Sequence, residues 1–406
     1  MKNLLTGLLM AISATTFSQK DMQLSNHAVT IGYTSYIADD GTIAIMEEYG
    51  SGLAYKMTMH SYDADGNLTG KKDIKHNFHL KGKNFDPANK MWFGSMIGVG
   101  KATIFQTDEQ GNTTETLIKD KDVSFKYISD LERMNESGHF EVYMFTGKAD
   151  IIPYTCIEYN PADKTYKIQQ FDQVKGVIQG EVRLIGSRGG SKYFINWNKE
   201  SKTGKYLCRV ISVNKSNELT EVAKFDFTPD KSIEEKFYNS FYVTPFDFAI
   251  GDNDLYFTLN FKALLNKNTK EERSTMTYRV FRIDSENKLS ETSWTFPKEI
   301  VFPASAVHFP IGFVEKEDAT ALIVNDTQGN GMFCLTNFEG PVESTYFFKQ
   351  ANVLNLTPFE DEYSTLFGPG MQSGYSGSKF HITPDGTGIL VNTSTDGKAK
   401  MYKEKH

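Results

Sequence analysis

One short pattern recurs along this chain: an apolar approach, a tight turn and a second apolar run. The copy near the N-terminus is 37–46 (IADDGTIAIM), and the copy near the C-terminus is 382–391 (ITPDGTGILV). An Asp-Gly pair tolerates the positive φ angle that tight β-turns demand, and β-branched residues favour strands, so each copy predicts a β-hairpin. The pattern therefore restricts the chain to an all-β fold made of repeated hairpins.

Looser copies lie between these two, and each of the first six units carries a second hairpin. The looser copies are 85–94, 134–145, 185–197, 249–259 and 314–324. The turns of the second hairpins are 63–67, 108–112, 160–164, 214–217, 284–287 and 338–340. A unit of four strands buries its faces only by stacking against neighbouring units, which is the plan of a β-propeller. The repeats predict a seven-bladed β-propeller, with six or eight blades as alternatives.

The last unit is one strand short. Its third strand, 398–403, is followed by only three residues, whereas residues 22–31 precede the first hairpin with no other partner. We expect this N-terminal segment to supply the missing strand and close the ring, which removes exposed sheet edges. Residues 19–406 then form a single propeller domain.

Residues 1–18 (MKNLLTGLLMAISATTFS) have the features of a secretory signal peptide. Lys2 supplies the positive start, an apolar stretch too short to span a bilayer follows, and Thr16 and Ser18 are the small residues before the cut. We expect cleavage before Gln19 and export to the periplasm or the extracellular space. No later run holds about 18 consecutive apolar residues, so the mature chain is predicted to have no transmembrane segment.

The charge balance restricts the partners. The chain carries 44 Lys and Arg against 51 Asp and Glu, a net charge of −7. Removal of Lys2 with the leader leaves 43 against 51, or −8. Proteins that bind nucleic acid show a basic excess, so nucleic acid is not expected as a partner.

The two Asp-Gly-Thr hairpins resemble the repeats of bacterial secreted and periplasmic β-propellers, in which a strand ending in Pro-Asp-Gly or a variant recurs once per blade. Residues 382–390 carry that pattern, and 37–45 carry it with Asp39 in place of the proline. The five middle copies depart from it. The resemblance implies the architecture alone, because propellers host binding, scaffolding and several enzyme activities.

Two motifs resemble functional loops without completing their patterns, and the first is better explained as a hairpin. The run 63–67 (DADGN) begins like a calcium loop, yet Leu68 and Ile74 stand where such a loop needs Gly and Glu. The run 98–101 (GVGK) departs from the phosphate-loop pattern at two positions, Ser95 and Ala102.

Histidines and cysteines give no strong metal signal. His76 and His79 stand at a predicted strand end, where side chains three residues apart point to opposite faces. Cys156, Cys208 and Cys334 lie in strand-like runs with no second ligand at metal-binding spacing. An oxidising compartment permits one disulfide, but buried thiols inside sheets are the simpler interpretation. Neither a metal nor another cofactor is predicted.

The predicted ligand site lies on loops around the central channel. Loops from each outer strand to the next inner strand share one face of a propeller, and the long ones there are 75–90, 226–248 and 347–380. The second and third are rich in aromatic and acidic side chains, which stack on sugars or peptides and fix their orientation. In the alternative interpretation these aromatics only cap the blades. The candidate ligand-binding residues are Phe237, Tyr238, Tyr242, Asp247, Phe359, Glu360, Asp361, Tyr363 and Tyr375.

Three functions remain open. The sequence has no nucleophile-elbow or zinc-protease motif, so the leading hypothesis is a non-catalytic module that binds a carbohydrate, a peptide or an envelope protein. One alternative is a secreted hydrolase or lyase acting on a glycan or another polymer, and another is a structural partner in an envelope complex. The acid and base of an enzyme would come from titratable residues of the same loops, namely His79, Asp247, Glu360, Asp361, Glu362 and Tyr375.

Overall fold

A computed structural model describes most of the N-terminal half of the chain and the strands of the remainder. The described residues are 16–25, 30–51, 54–74, 82–83, 85–86, 88–123, 125, 129–146, 151–174, 180–228, 246–248, 254–260, 277–295, 310–316, 319–325, 331–336, 343–347, 378–393 and 399–405.

The described strands form seven sheets. The chain begins with β1 (Thr16–Met22). Sheet 1 consists of β2 (Thr30–Ile37), β3 (Ile43–Ser51), β4 (Ala54–Tyr62) and β5 (Leu68–Ile74). A short strand, β6 (Gly82–Lys83), precedes sheet 2, which consists of β7 (Phe85–Asp86), β8 (Met91–Gly98), β9 (Lys101–Thr107) and β10 (Thr113–Ile118). Sheet 3 consists of β11 (Ser129–Met134), β12 (Phe140–Phe145), β13 (Tyr154–Asn160) and β14 (Thr165–Gln170), with β6 at its edge. A 3-10 helix, Phe171–Gln173, follows.

The remaining sheets repeat this plan. Sheet 4 consists of β15 (Glu181–Arg188), β16 (Ser191–Lys199), β17 (Tyr206–Val213) and β18 (Leu219–Phe227). Sheet 5 consists of β19 (Phe246–Phe248), β20 (Leu255–Asn260), β21 (Thr277–Ile283) and β22 (Leu289–Thr295). Sheet 6 consists of β23 (Pro310–Lys316), β24 (Ala319–Asn325), β25 (Gly331–Thr336) and β26 (Glu343–Phe347). Sheet 7 consists of β27 (Ser378–Ile382), β28 (Thr387–Thr393), β29 (Ala399–Lys405) and, at its edge, β1.

Within each sheet, strands that follow one another in the chain pair antiparallel, and β6 pairs parallel with β11. The prediction of an all-β chain made of four-stranded antiparallel units, the plan of a β-propeller, is confirmed. The number of blades in a ring and its closure stay predictions.

The two Asp-Gly hairpins adopt the same turn. Gly41 has a φ of 82° and Gly386 a φ of 85°, in the left-handed region that favours glycine. In the first turn, the Oδ1 atom of Asp40 accepts hydrogen bonds from the Thr42 backbone N–H at 2.9 Å and from its hydroxyl at 2.7 Å. The aspartate and the glycine are therefore explained by the local geometry of the turn.

The N-terminal strand lies earlier in the chain than expected. The edge strand of sheet 7 is β1, from Thr16 opposite Lys405 to Met22 opposite Ala399, and it shares only Met22 with the expected segment 22–31. Gln23 leaves the sheet, and its carbonyl accepts a 2.5 Å hydrogen bond from the Tyr62 hydroxyl. The sequence interpretation missed this because it assigned the residues up to position 18 to the leader.

Apolar layers lie between successive sheets. On one face of sheet 4, Phe194 and Ile211 pack against Tyr154 and Phe171, which precede that sheet in the chain. On its other face, Trp197, Cys208 and Val210 pack against Phe257 and Phe281 of sheet 5. Strand alternation produces both faces, since neighbouring side chains in a strand point in opposite directions.

Candidate functional site

The predicted ligand-binding residues lie almost entirely outside the described residues. Phe237, Tyr238, Tyr242, Phe359, Glu360, Asp361, Tyr363 and Tyr375 fall there, as do His76, His79 and Glu362. Asp247 lies in β19, where its backbone pairs with Thr258 of β20. The loop site therefore stays a prediction, whereas other polar and titratable groups come together within the described residues.

A buried carboxylate, Glu141, receives hydrogen bonds from residues of sheets 3 and 4. Its donors are Arg133 Nε at 3.1 Å, Tyr143 OH at 2.6 Å, Asn135 Nδ2 at 2.9 Å, Ser187 Oγ at 3.1 Å and Lys192 Nζ. We call these six residues the Glu141 cluster. Since buried charges are stable only when they are paired and hydrogen-bonded, the cluster is a polar link between two sheets.

Electrostatics keep Glu141 ionised in this buried position. Burial opposes its ionisation, but the neighbouring Arg133 and Lys192 charges outweigh that effect and lower the pKa of the carboxyl from 4.5 to about 2. Burial also raises the pKa of the nearby Cys156 thiol to about 12. A general acid works best with a pKa near the working pH, so neither group suits acid–base catalysis at neutral pH.

A serine, a histidine and a carboxylate also meet in sheet 1. His60 Nε2 lies 2.9 Å from Glu47 Oε2 and 3.4 Å from Ser25 Oγ, and all three residues are buried. A catalytic triad uses one ring nitrogen for the serine and the other for the acid. Here both partners contact the same nitrogen, so the arrangement differs from that of a triad, and the contacts tie the segment after β1 to sheet 1.

The run that begins like a calcium loop is a hairpin turn. Asp63 Oδ1 accepts hydrogen bonds from the backbone N–H groups of Asp65 and Asn67 at 3.0 and 2.8 Å, and its Oδ2 accepts from Asn67 Nδ2 at 3.0 Å. These hydrogen bonds, those from Asn67 first, lower the pKa of Asp63. Asp108 and Asn112 repeat the Asn67 contacts at 2.8 and 2.9 Å. The Asp63 carboxylate therefore accepts hydrogen bonds from its own hairpin turn, which explains its place in the sequence.

The described cysteines agree with the simpler interpretation of the sequence. Neither Cys156 nor Cys208 forms a disulfide, and both are buried. In the part of the chain that the structure describes, no three His, Cys, Asp or Glu side chains come together as metal ligands. No helix of the described segments is long and apolar enough to cross a membrane.

A cleft opens at one end of sheet 4, over its second, third and fourth strands. Its volume is about 550 Å³, within the range of small-ligand sites. We call it the sheet 4 cleft, and it is lined by Asn196, Asn198, Leu207, Cys208, Arg209, Lys224, Phe225 and Asp226.

The pairing of the strands arranges the cleft in two cross-strand rows. Asn196, Arg209 and Lys224 lie opposite one another in the first row. Asn198, Leu207 and Asp226 form the second row. Residues that lie opposite each other in a sheet point to the same face, so both rows face the cleft.

Hydrogen bonds and ion pairs fix the polar groups of the cleft. Asn196 is 4% exposed; its Nδ2 donates to the Glu181 carbonyl at 2.9 Å, and its Oδ1 accepts from Arg209 Nε at 2.6 Å. Asp226 pairs with Lys205 at 2.8 Å. The guanidinium is thereby held against the wall of the cleft, and the arrangement suits binding of a polar ligand.

The sequence contained a signal for this cleft that its interpretation did not use. In the run 193–198 (YFINWN), two asparagines alternate with apolar residues. Alternation places them on one face of a strand, and Arg209 recurs on the same face of the next strand. Polar residues at these positions indicate that a polar cluster, and not the apolar core, occupies this end of the face.

Comparisons with known proteins find solved structures of similar shape but no sequence relative. No family model matches the sequence, and no curated protein sequence does. The polysaccharide lyase Uly1 is 8% identical with a TM-score of 0.47, over 94% of this chain and 91% of that one. The Dos1 propeller is 9% identical with a TM-score of 0.43, over 95% of each chain. The Pseudomonas aeruginosa periplasmic gluconolactonase PpgL is 11% identical with a TM-score of 0.42, over 94% of each chain. Similarity at this level assigns no activity to the chain.

Proposed function

We propose that this protein is an exported β-propeller that binds a ligand without transforming it, and that the sheet 4 cleft is part of its binding site. The cleft itself carries the proposal. It combines the exposed Asn198 amide, the Arg209 guanidinium held by the buried Asn196 and the half-exposed Leu207 within about 550 Å³. Such a mixture of oriented polar groups and apolar surface is typical of ligand sites.

The described acid–base groups support binding over catalysis. Glu141 holds two sheets together, and His60 contacts its serine and its acid through one nitrogen. An enzyme of the hydrolase or lyase class needs an acid and a base that converge on an open point. The cleft instead pairs its own carboxylate, Asp226, with Lys205.

Asp226 lines the cleft near the end of β18, and the stretch predicted to carry the aromatic residues Phe237, Tyr238 and Tyr242 follows that strand in the sequence. We propose that these aromatics, with those of the loop 347–380, extend the binding surface. Aromatic faces supply stacking area next to the hydrogen-bonding groups of the cleft.

The finer architecture is part of the same proposal. We infer seven blades in one ring, with β1 as the last strand of sheet 7, and a leader cleaved before Gln19. Cleavage there removes Thr16, Phe17 and Ser18 from β1 and leaves Gln19–Met22 paired with β29. Met22 is 5% exposed in an apolar layer that Ile45 and Val391 share, so the retained part anchors the N-terminus.

The test is thermal unfolding of the chain from Gln19 with a panel of oligosaccharides and peptides, each followed by product analysis. A ligand at a hundred times its dissociation constant stabilises the fold by about 2.7 kcal/mol. We expect a rise in melting temperature with unchanged ligand.

Two matched variants locate the site. Lys224→Gln, in the cleft, should reduce the ligand-induced rise in melting temperature, whereas Lys71→Gln, on the outer strand of sheet 1, should leave it unchanged. The two substitutions are matched because both lysines are exposed. If the wild type converts the ligand to products and Asp247→Asn or Glu360→Gln abolishes the conversion, the binding function is wrong and the hydrolase or lyase hypothesis is supported.

A further inference from the structure

Two charged side chains of the sheet 4 cleft already have partners of opposite charge within the protein. In the first row Lys224 pairs with Glu221 at 2.9 Å, and in the second row Asp226 pairs with Lys205 at 2.8 Å. A charged ligand would have to compete with these partners, whereas a neutral ligand leaves both ion pairs in place. The paired charges therefore favour a ligand without net charge.

The first row forms a supported wall of the cleft. Asn196, 4% exposed, accepts a hydrogen bond from Arg209 Nε at 2.6 Å, and its own amide donates to the Glu181 carbonyl at 2.9 Å. These contacts lie within sheet 4 itself, so a ligand does not have to order this wall, and less entropy is lost on binding. The groups that face a ligand lie in the second row.

The second row presents one amide, one apolar surface and one carboxylate across three strands. Asn198 is exposed, and its amide is both a donor and an acceptor. Leu207 lies opposite it with 42% of its surface exposed, and Asp226, whose side chain is 54% exposed, lies opposite Leu207. Neighbouring strands are about 4.8 Å apart, so this row spans about 10 Å, more than the width of one sugar ring.

This order of groups matches a saccharide. A sugar ring carries hydroxyl groups around its edge and C–H groups on its faces. Amides and carboxylates are hydrogen-bonding partners for hydroxyl groups, and a C–H face that covers Leu207 removes apolar surface from water. The length of the row favours an oligosaccharide over a single ring.

We propose that the sheet 4 cleft binds a neutral oligosaccharide, with one ring packed on Leu207 and hydroxyl groups on Asn198 and Asp226. This inference rests on the proposed binding function. It restricts the ligand of that function to uncharged saccharides.

The test is isothermal titration of the chain from Gln19 with neutral trimers of glucose, galactose, mannose and xylose. The fully O-methylated form of each trimer is the matched ligand control, because it keeps the ring skeleton and removes the hydroxyl donors. We expect at least one trimer to bind, and its methylated form to bind at least about tenfold more weakly, since a site that hydrogen-bonds hydroxyl groups rejects analogues without them. Affinity should stay constant as salt is raised, because the ligand carries no charge.

Variants assign the binding to the second row. Asn198→Ala should lower the affinity for the trimer at least about tenfold, the effect of about 1.4 kcal/mol, and Leu207→Ser should lower it severalfold. The matched controls are Gln110→Ala and Leu117→Ser, which change an exposed amide and an exposed leucine of sheet 2 and should leave the affinity unchanged. Urea unfolding of each variant separates loss of binding from loss of fold.

The outcomes distinguish this inference from the function beneath it. Equal binding of a trimer and its methylated form, or binding that Asn198→Ala leaves intact, overturns the saccharide assignment and leaves the binding module in place. Binding of a peptide or an acidic saccharide, with none of the four neutral trimers bound, does the same. Shortened or unsaturated products in the calorimeter cell overturn the proposed function itself. If none of the four trimers binds, the inference is wrong.

Discussion

Both ends of β16 place polar side chains on the same face of sheet 4, but one end is buried against the neighbouring sheet and the other lines a cleft. At one end Lys192 is 1% exposed and belongs to the Glu141 cluster. At the other end Asn196 and Asn198 line the open sheet 4 cleft. Phe194, fully buried, lies between them in the apolar layer.

What differs is the partner that each end meets. Lys192 meets Glu141 from the neighbouring sheet, and the polar groups of both sheets are satisfied by each other. Asn196 is held by Glu181 and Arg209 of its own sheet, and the groups beside it face the cleft. A polar residue on an inward-facing strand position therefore serves as a link or as a binding group, according to what lies opposite.

The largest loss of stability is expected from a substitution at the buried end of β16. Glu141→Gln removes the negative charge that pairs with both Arg133 and Lys192. These two buried cations then lack that carboxylate as a counter-charge. Removing one partner of a buried ion pair costs about 3–5 kcal/mol. Urea denaturation at neutral pH measures the free energy of unfolding of the variant and of the wild type.

A matched variant on an exposed pair is the control for this substitution. Lys205→Gln breaks the ion pair with Asp226, in which both side chains are more than a third exposed. Exposed pairs contribute about 0–1 kcal/mol. A loss below about 1 kcal/mol in Glu141→Gln as well would remove the distinction between the two ends of the strand.

The pH dependence of stability sharpens the same contrast. The pKa of Glu141 is lower in the folded chain, about 2, than its usual 4.5. Its ionisation therefore stabilises the fold fully above pH 4.5, and this contribution is lost as the pH falls toward 2. The difference in unfolding free energy between the wild type and Glu141→Gln should narrow by about 2 kcal/mol from about pH 6 to about pH 3. A difference independent of pH would mean that charge plays no part.

A smaller effect separates the two asparagines of the cleft. Asn196→Ala removes hydrogen bonds to Glu181 and Arg209 in a buried position and should cost about 1–3 kcal/mol. Asn198→Ala, at an exposed position, should change the free energy of unfolding by less than about 0.5 kcal/mol. Equal costs in urea denaturation would contradict the division between supporting and ligand-facing residues.

The sequence predicted the repeated hairpins because their rules are local. An Asp-Gly turn needs only glycine at a positive φ angle and an aspartate that accepts hydrogen bonds from its own turn, as Asp40 does. Strand alternation is equally local, so the two-faced character of YFINWN was readable. The N-terminal strand was placed too late, since nothing within residues 16–22 shows that Lys405 will lie opposite Thr16.

The candidate site was predicted less well, because it depends on which residues of distant strands meet. Glu141 and Lys192 are 51 residues apart, and no spacing rule connects them. The loop residues chosen from composition lie almost entirely outside the described residues. The cleft is built from strand positions that composition does not single out.

The sequence by itself determined an all-β chain of repeated antiparallel units, since turn chemistry and alternation act between neighbours in the chain. Only the tertiary structure decided that Glu141 is an ionised link between two sheets, that Ser25 and Glu47 contact the same nitrogen of His60, and that a cleft lies at one end of sheet 4. Each of these depends on what the next sheet places opposite a side chain. Burial and opposing charge determine the pKa and the role of a group, and both arise only when the sheets pack together.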